Sequence, residues 1–554
     1  MLLCDTFVYM KNDITLIDKI VRLVYQHICC YPDQECQNIL DGFYCILNKS
    51  LDYTFDQIDA ISLSDFQFAL SKINEKEARR KNQGVYYTPK DVTEYIVANT
   101  YLNYTDRNNS QVYAQDECIH RIDEIGVNKL FTAKVFDPTC GTAEFLLSAI
   151  EIKLALLNPK RSFNDEDLLT LASSIFGNDI APESILLSKI RIYFTIVSRL
   201  KDKTHTKRLA KILNKNFTCN DYITVQSARP KYDIIVGNPP YVEYGKLPVK
   251  PNSNYGNIYA DILCNAVCEL KSSGVIGFVI PLSFVATSRM QSIREDMYKK
   301  MNRIFILNYA DRPDCLFDGV HQKLSILFGI KGAHKCVTYT SSYYHWYNNE
   351  RRDLLNNCKI FPSSPKNQYI PKIGNVYESS IFEKINNVKG ESLLSLLNTQ
   401  DKQSSVYVNM RACFWMKAFS FNPGSKEYKE FGGPSEMRPY LLAILNSNLF
   451  FLYWTIVSDC WHITNKELSE FFVPTDGVCL DIFRILTSKL ERKLERTKKY
   501  IGSVQTQYEY KHRECKPEID AIDDALQDIY GLTDEEVAFL KEYKFKYRMS
   551  NGAI

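Results

Sequence analysis

The sequence predicts an α/β fold: a mostly parallel, doubly wound sheet, with a helical N-terminal cap before it and an α+β region after it. Three observations predict this. From about residue 81 to 345, short β-rich runs alternate with helical patterns, the rhythm of parallel strands joined by crossover helices. The strand candidates are apolar almost throughout, as a sheet covered on both faces requires. Acidic residues recur at the ends of successive strands, where open α/β sheets bind their ligands.

Taken in order, residues 1–80 read as helical. Apolar positions in IDKIVRLVYQHI recur at threes and fours, and FDQIDAISLSDFQFALSKINEKEARRKN ends in charge. Residues 81–345 carry AKVFD followed by GTAEFLLSAIEIKLALL, and IFGND followed by PESILLSKIRIYFTIVSRL. NFTCNDYITV, DIIVG, ADILCNAVCELKSS and VIGFVIP continue the alternation. From 346 to 475 that rhythm is lost, and aromatics, Asn, Ser and Pro interleave with basic residues. From 476 to 554 the chain is helical and highly charged, as in LTSKLERKLERTKKY. There are no internal repeats.

The 554 residues are 45% hydrophobic, enough for two or more domains with their own cores. An aromatic content of 13% argues against disorder over most of the length. A net charge of +3 gives no global basic field, so a nucleic-acid contact must come from a local patch. No apolar run reaches the length of a membrane span, and MLLCDTFVYMKND lacks the pattern of a secretion signal. The 17 cysteines are odd in number and scattered, which reads as reduced cytosolic thiols. Cys29, Cys30 and Cys36 cluster without a second CxxC, and Cys264 and Cys268 sit at helical spacing; no metal site is expected.

The first strand delivers Asp137 into DPTCGTAEF. Gly141 suits a tight turn or a backbone that passes close to a ligand. An acidic strand end repels a pyrophosphate but suits an ammonium group or hydroxyls, both of which S-adenosylmethionine carries. Asp179, at the end of FGNDI, is placed to accept ribose hydroxyls. Asp221, after the third run, is placed to accept from an adenine amino group. Each aspartate alone reads equally well as a loop cap. Three in order at successive strand ends are a stronger signal.

DIIVGNPPY ends a buried strand on Asn238, Pro239, Pro240 and Tyr241. The Asn238 amide oxygen can accept one hydrogen of an exocyclic NH2, and the Pro239 carbonyl the other. The Pro239 ring fixes φ, and Pro240 biases Pro239 toward extended geometry. Two such acceptors free the nitrogen lone pair for attack on a sulfonium methyl, without metal or covalent intermediate. The ring of Tyr241 offers a stacking face, a task that does not call on its hydroxyl.

On GVYYTP (84–89), DPTCGTAEF (137–145), FGNDI with its helix, and NPPY (238–241), the chain resembles the S-adenosylmethionine-dependent adenine-N6 DNA methyltransferases of bacterial restriction–modification systems. The likeness is to the Eco57I-like and TaqI-like group with the gamma order of motifs, from about residue 80 to the C-terminus. It implies a class I methyltransferase-like sheet. It also implies that Tyr87, Thr88 and Pro89 line the methionine end of the cofactor. Asp137, Cys140 and the backbone around Gly141 face its amino acid portion, Asp179 the ribose, and Asp221 the adenine. Asn238 and Pro239 activate the target N6, with Pro240 behind them. Tyr241 and Phe317, the latter in CLFDGVHQKLSILFG, flank the flipped base, and YGKLPVKPNSNYGN resembles a loop that closes over DNA. The chain departs from the family at Ala143, where the family has glycine. A methyl there weakens cofactor binding if the position needs φ > 0, and is tolerable if φ is negative.

N6 of a paired adenine cannot reach a buried methyl, so the base must leave the duplex and a second region must grip DNA. Residues 404–475 are the candidates, with Arg411, Trp461, His462 and Lys466 as expected contacts. PYLLAILNSNLFFLYWTIVSDCWHITNKELSEFFVP resembles the family's recognition segment. Asn238, rather than serine or aspartate, favours adenine over cytosine-N4. No nuclease motif reads from residues 1–80, which implies modification of duplex DNA, with a separate restriction endonuclease or none, in the bacterial cytoplasm at the nucleoid. Rival readings are an RNA adenine methyltransferase, a glutamine-N5 protein methyltransferase, which lacks a large C-terminal region, and a DNA-binding subunit with a degenerate cofactor site.

Overall fold

The computed structural model describes residues 13–49, 59–73, 88–157, 163–224, 231–247, 251, 253–398, 404–503 and 506–549. Its centre is a sheet of nine strands: β1 Val135–Asp137, β2 Ile175–Asp179, β3 Phe217–Cys219, β4 Tyr232–Gly237, β5 Leu270–Pro281, β6 Met301–Tyr309, β7 Leu324–Lys331, β8 Val337–Tyr344 and β9 Phe361–Pro362. Their order is β3-β2-β1-β4-β5-β7-β6-β8-β9. The first five are parallel neighbours, and β7 runs antiparallel between β5 and β6. The order reverses between β1 and β4, so a crevice opens beyond their carboxyl ends. The α/β expectation is borne out, and the runs VFD, IFGND, DIIVG and VIGFVIP all lie in strands.

The apolar strands are buried because helices cover both faces. All six residues of β4 are buried. Helix Lys90–Thr105 packs against helix Glu144–Leu157 and β5, and Thr93 bonds Ser148 between the helices at 2.8 Å. Helix Pro182–Val197 starts with proline in its first turn, where the missing N–H costs nothing, and packs on β2 and β3.

The described N-terminal helices are an outer layer on that unit. Tyr193 Oη donates to Ile39 O at 2.7 Å, and Thr206 Oγ1 to Asn38 O at 2.6 Å. The rings of His27, Phe66 and Phe194 close the interface, with centroids 4.8–5.6 Å apart. At the other end, the sheet runs past residue 345, because β9 pairs with β8.

The C-terminal region has a three-stranded sheet (Val406–Asn409, Ala418–Phe419, Tyr428–Phe431) beside two helices, Arg438–Asn446 and Asn448–Val457, bent by 60°. Every residue of the second helix is buried. The stretch LFFLYWTIV is therefore the core of this region and not a surface that reads DNA. Among the described residues no single helix is long and apolar enough to cross a membrane. The charged tail returns to the sheet: Lys544 Nζ donates to Tyr343 O at 2.7 Å, and Arg548 Nη1 to Asn448 Oδ1 at 2.7 Å.

Candidate active site

β1 and β4 are neighbours in register, with Phe136 opposite Ile235, so Asp137 and Asn238 leave adjacent strand ends. Asp137 is 1% exposed. A Cβ on Gly237 would stand 2.8 Å from Asp137 Oδ1, so only glycine lets this carboxylate lie against β4. Burial pushes the Asp137 carboxyl well above its ordinary range; the Thr139 N–H, 3.0 Å from Oδ1, opposes this, and Asp179 adds to it.

The turn that follows is tied on every side. Cys140 N donates to Asn178 O at 2.8 Å, and Asn178 Nδ2 to Pro138 O at 3.1 Å. Gly141 N donates to Asp179 Oδ2 at 2.9 Å. From helix Pro182–Val197, Ser188 Oγ donates to Gly141 O at 2.7 Å, and Arg191 Nη1 to Thr142 O at 2.5 Å. Arg191 also pairs with Glu144. Sequence reasoning missed Ser188 and Arg191. They lie in an apolar helical run, and nothing local marks them as partners of a turn some 47 residues earlier.

Gly141 has φ +51, and the space over its α-carbon is open to 4 Å. Ala143 has φ +71, so the condition under which alanine is tolerable is not met. Its methyl group is nonetheless wholly buried. The cost therefore falls on the backbone, about 1–2 kcal/mol for an L-residue in this region, and not on the open side of the turn.

Asp179 accepts from Gly141 N and, through Oδ1, from Ala181 N at 2.9 Å. Burial raises its carboxyl, and these N–H groups pull it down. Each oxygen keeps a second lone pair. Asp221 Oδ1 caps a turn by accepting from Ile223 N at 2.9 Å. Thr139 Oγ1 is buried and has no partner. One buried and one half-buried carboxyl group, an orphaned hydroxyl and the open face of Gly141 together fit a ligand with an ammonium group and hydroxyls.

The knot is linked to a distant segment. Asn238 Nδ2 donates to Thr88 Oγ1 at 3.0 Å, and Tyr241 Oη donates to Asn238 Oδ1 at 2.5 Å. Tyr241 Oη also lies 3.0 Å from Val279 O on β5. Thr88 is buried at the start of helix Lys90–Thr105, with Pro89 as its N-cap. Tyr87 and the rest of GVYY lie outside the described residues. Pro239 is buried and Pro240 half-buried. The Tyr241 ring meets Tyr259 edge-on, with centroids 6.2 Å apart. Two expectations change here. Thr88 bonds the Asn238 amide, and the Tyr241 hydroxyl is bonded to that same amide.

Phe317 is 1% exposed, packed in the core, so as it stands it presents no face to a base. The four expected DNA contacts divide. Lys466 is spent inside the protein: Nζ donates to Ala286 O at 2.7 Å and Val457 O at 2.9 Å, and pairs with Glu467 at 3.1 Å. It ties the C-terminal region to the short helix Ser283–Ala286 after β5 and is not available to a phosphate. Arg411, Trp461 and His462 form one exposed edge, where Arg411 pairs in register with His462. Arg411 also holds Glu427 at 3.0 Å, and its guanidinium lies 5.9 Å from the Trp461 ring centroid. Lys323, which the sequence did not single out, backs this edge from the central sheet, with Nζ 3.9 Å from that centroid and 3.4 Å from Asp311 Oδ1.

Residues 173–315 match the model of the Eco57I restriction-modification methylase family. That span runs from the start of β2 past β6 and contains the knot. The chain is 23% identical over 280 residues, 49% of its length, to the Type II methyltransferase M.BanIII of Aneurinibacillus aneurinilyticus, covering 42% of that protein. It is 23% identical over 239 residues, 41% of its length, to the Type II methyltransferase M.VspI of Vibrio sp. (strain 343), covering 44%. The chain thus spans less than half the length of these curated relatives. Among solved structures, the Type IIL restriction-modification enzyme MmeI in complex with DNA shares the fold at a TM-score of 0.52, with 11% identity, over 96% of this chain and 95% of that one. The resemblance to restriction–modification methyltransferases drawn from the motifs is borne out.

Proposed function

We propose that the chain transfers a methyl group from S-adenosylmethionine to the N6 amino group of an adenine in duplex DNA, with the base turned out of the helix. It acts as the modification enzyme of a restriction–modification or related defence system. The observation that carries this reading is the Asn238 amide, held between Thr88 and Tyr241 at the end of β4, next to the buried Asp137 at the end of β1. The likeness to restriction–modification methylases supports it.

S-adenosylmethionine supplies a methyl group activated on a sulfonium. Asp137 and the Thr139 hydroxyl would hold its amino acid portion, and Asp179 its ribose. Asp221 stays a candidate for the adenine amino group through the lone pairs its turn leaves open. Thr88 takes one Asn238 N–H, which leaves the amide oxygen facing the Tyr241 hydroxyl. That oxygen has two lone pairs, so it can accept from Tyr241 and from the target amino group together. The Pro239 carbonyl takes the second amino hydrogen, and the nitrogen lone pair is left for attack. In-line positioning and these hydrogen bonds supply the catalysis. Arg411, His462 and Trp461 form the proposed DNA edge, with Lys323 behind the Trp461 ring.

The deciding measurement is transfer of a tritiated methyl group to duplex DNA, followed by nucleoside analysis. Label in N6-methyladenine is expected. Label in cytosine moves the target class, and label only in RNA or protein removes the reading.

A further inference from the structure

Away from the crevice, two thiols and three lysines meet at the end of one helix. Helix Ile258–Glu269 carries Cys264 and, one turn later, the exposed Cys268. Lys300, the last residue of helix Gln291–Lys300, places Nζ 3.3 Å from Cys268 Sγ. Lys231 Nζ donates to Cys268 O at 2.6 Å. Lys331 Nζ, from β7, donates to Val267 O and Leu270 O, both at 2.9 Å. On the inner side, Tyr255 Oη lies 3.5 Å from Cys264 Sγ and 3.0 Å from Asp296 Oδ2.

We infer that Cys268 is a nucleophilic thiol and a site of covalent modification by soft electrophiles, above all the disulfides of low-molecular-weight thiols. The geometry supplies what such a site needs. Sulfur is reactive as thiolate, and a thiolate is stabilised by hydrogen-bond donors and cations beside it. Here the Lys300 ammonium lies 3.3 Å from one exposed sulfur, with Cys264 one turn before it on the same helix. The Cys264 hydrogen bond, with Lys300 and Lys331 behind it and burial opposing, lowers the Cys268 thiol to about 5, while the Cys264 thiol is raised. Asp296 faces Tyr255 and pairs with Lys299 at 3.8 Å.

The step balances as thiol–disulfide exchange. The Cys268 thiolate attacks one sulfur of the disulfide, the S–S bond breaks, and the other half leaves as a thiolate that takes a proton from water. Cys264 does not go on to close a bridge. Residues four apart on a helix hold their Cβ atoms about 5–6 Å apart, more than a disulfide spans. The product is a mixed disulfide at Cys268.

The test uses the intact chain and limiting iodoacetamide at pH 6.5, with alkylation of each cysteine followed by peptide mass spectrometry. The exposed Cys479 is the internal reference. The larger thiolate fraction at this pH outweighs the loss of intrinsic nucleophilicity that comes with a lowered thiol, so Cys268 is expected to react several-fold faster than Cys479. Lys300→Met and Cys264→Ala should each bring the ratio toward one, with circular dichroism showing that the fold is kept. Lys300→Arg should preserve it. With glutathione disulfide as probe, the adduct should appear first on the Cys268 peptide. A Cys268 no faster than Cys479, or a ratio untouched by Lys300→Met in a folded protein, overturns the inference. None of these readings depends on methyl transfer.

Discussion

The turn after β1 and the edge around Trp461 are both crowded with polar groups, but they are built in opposite ways. In the turn, nearly every bond pins backbone. Asn178, Asp179, Ser188 and Arg191 hold the Pro138, Gly141 and Thr142 peptide groups in place before any ligand arrives. At the edge, side chains hold side chains. Arg411 is paired with Glu427, and Lys323 rests on Trp461. A pinned backbone presents fixed dipoles at no cost on binding, which suits a site for one small ligand. Exposed ion pairs are weak and exchangeable, worth about 0–1 kcal/mol, which suits a surface that swaps internal partners for phosphates.

Substitutions can break or sharpen this contrast. The largest effect is expected at the knot. Asn238→Ala removes one of two acceptors, and turnover should fall about 100-fold or more while the fold survives. Full activity in the folded variant would leave the proposed mechanism without its centre. Tyr241→Ala should in addition impair capture of the flipped base.

Asp179→Asn loses the charge and one of the two backbone N–H acceptors, and should weaken binding of S-adenosylhomocysteine by about 1.5–3 kcal/mol, read by calorimetry. Unchanged affinity would mean that Asp179 serves only the turn.

Thr88→Val should lower kcat by about tenfold without weakening S-adenosylhomocysteine, because the amide loses the partner that orients it. Thr88→Ser should restore it. Loss of cofactor affinity with kcat kept would instead make Thr88 a cofactor ligand. Tyr241→Phe, mild if the ring alone matters, should now cost turnover several-fold, since the hydroxyl is bonded to Asn238 Oδ1.

At the edge, Arg411→Ala should weaken target DNA binding a few-fold and reduce the salt slope by about one. Equal affinity across salt concentrations would remove Arg411 from the interface. The smallest effect is expected at Ala143→Gly. Relief of left-handed strain, offset by glycine's greater chain entropy, should raise stability by about 0.5 kcal/mol in denaturant melts. No gain would show that the buried methyl contributes as much as the strain costs.

The contrast also explains what could be read in advance. Strand identity in β1, β2, β4 and β5 was legible, because a strand buried on both faces must be apolar along a continuous run. The acidic strand ends and the knot were legible because their chemistry needs given residue types at short spacing. Phe317 and Lys466 were not. An aromatic ring in a core and one beside a base have the same letter, and so do a lysine that caps carbonyls and one that meets a phosphate.

By itself, the sequence determined the α/β class, the alternation of strands and helices from β1 to β5, and the residues at the carboxyl ends of β1, β2 and β4. Periodicity and turn chemistry are local, and they act through neighbours along the chain. Only the tertiary structure decided that Thr88 orients Asn238, that Ser188 and Arg191 hold the turn, that Ala143 takes φ +71, and that Lys323 meets Trp461. Each of these depends on which faces meet when helices fold over the sheet. That is set by the packing of the whole core, and no short stretch of chain encodes it.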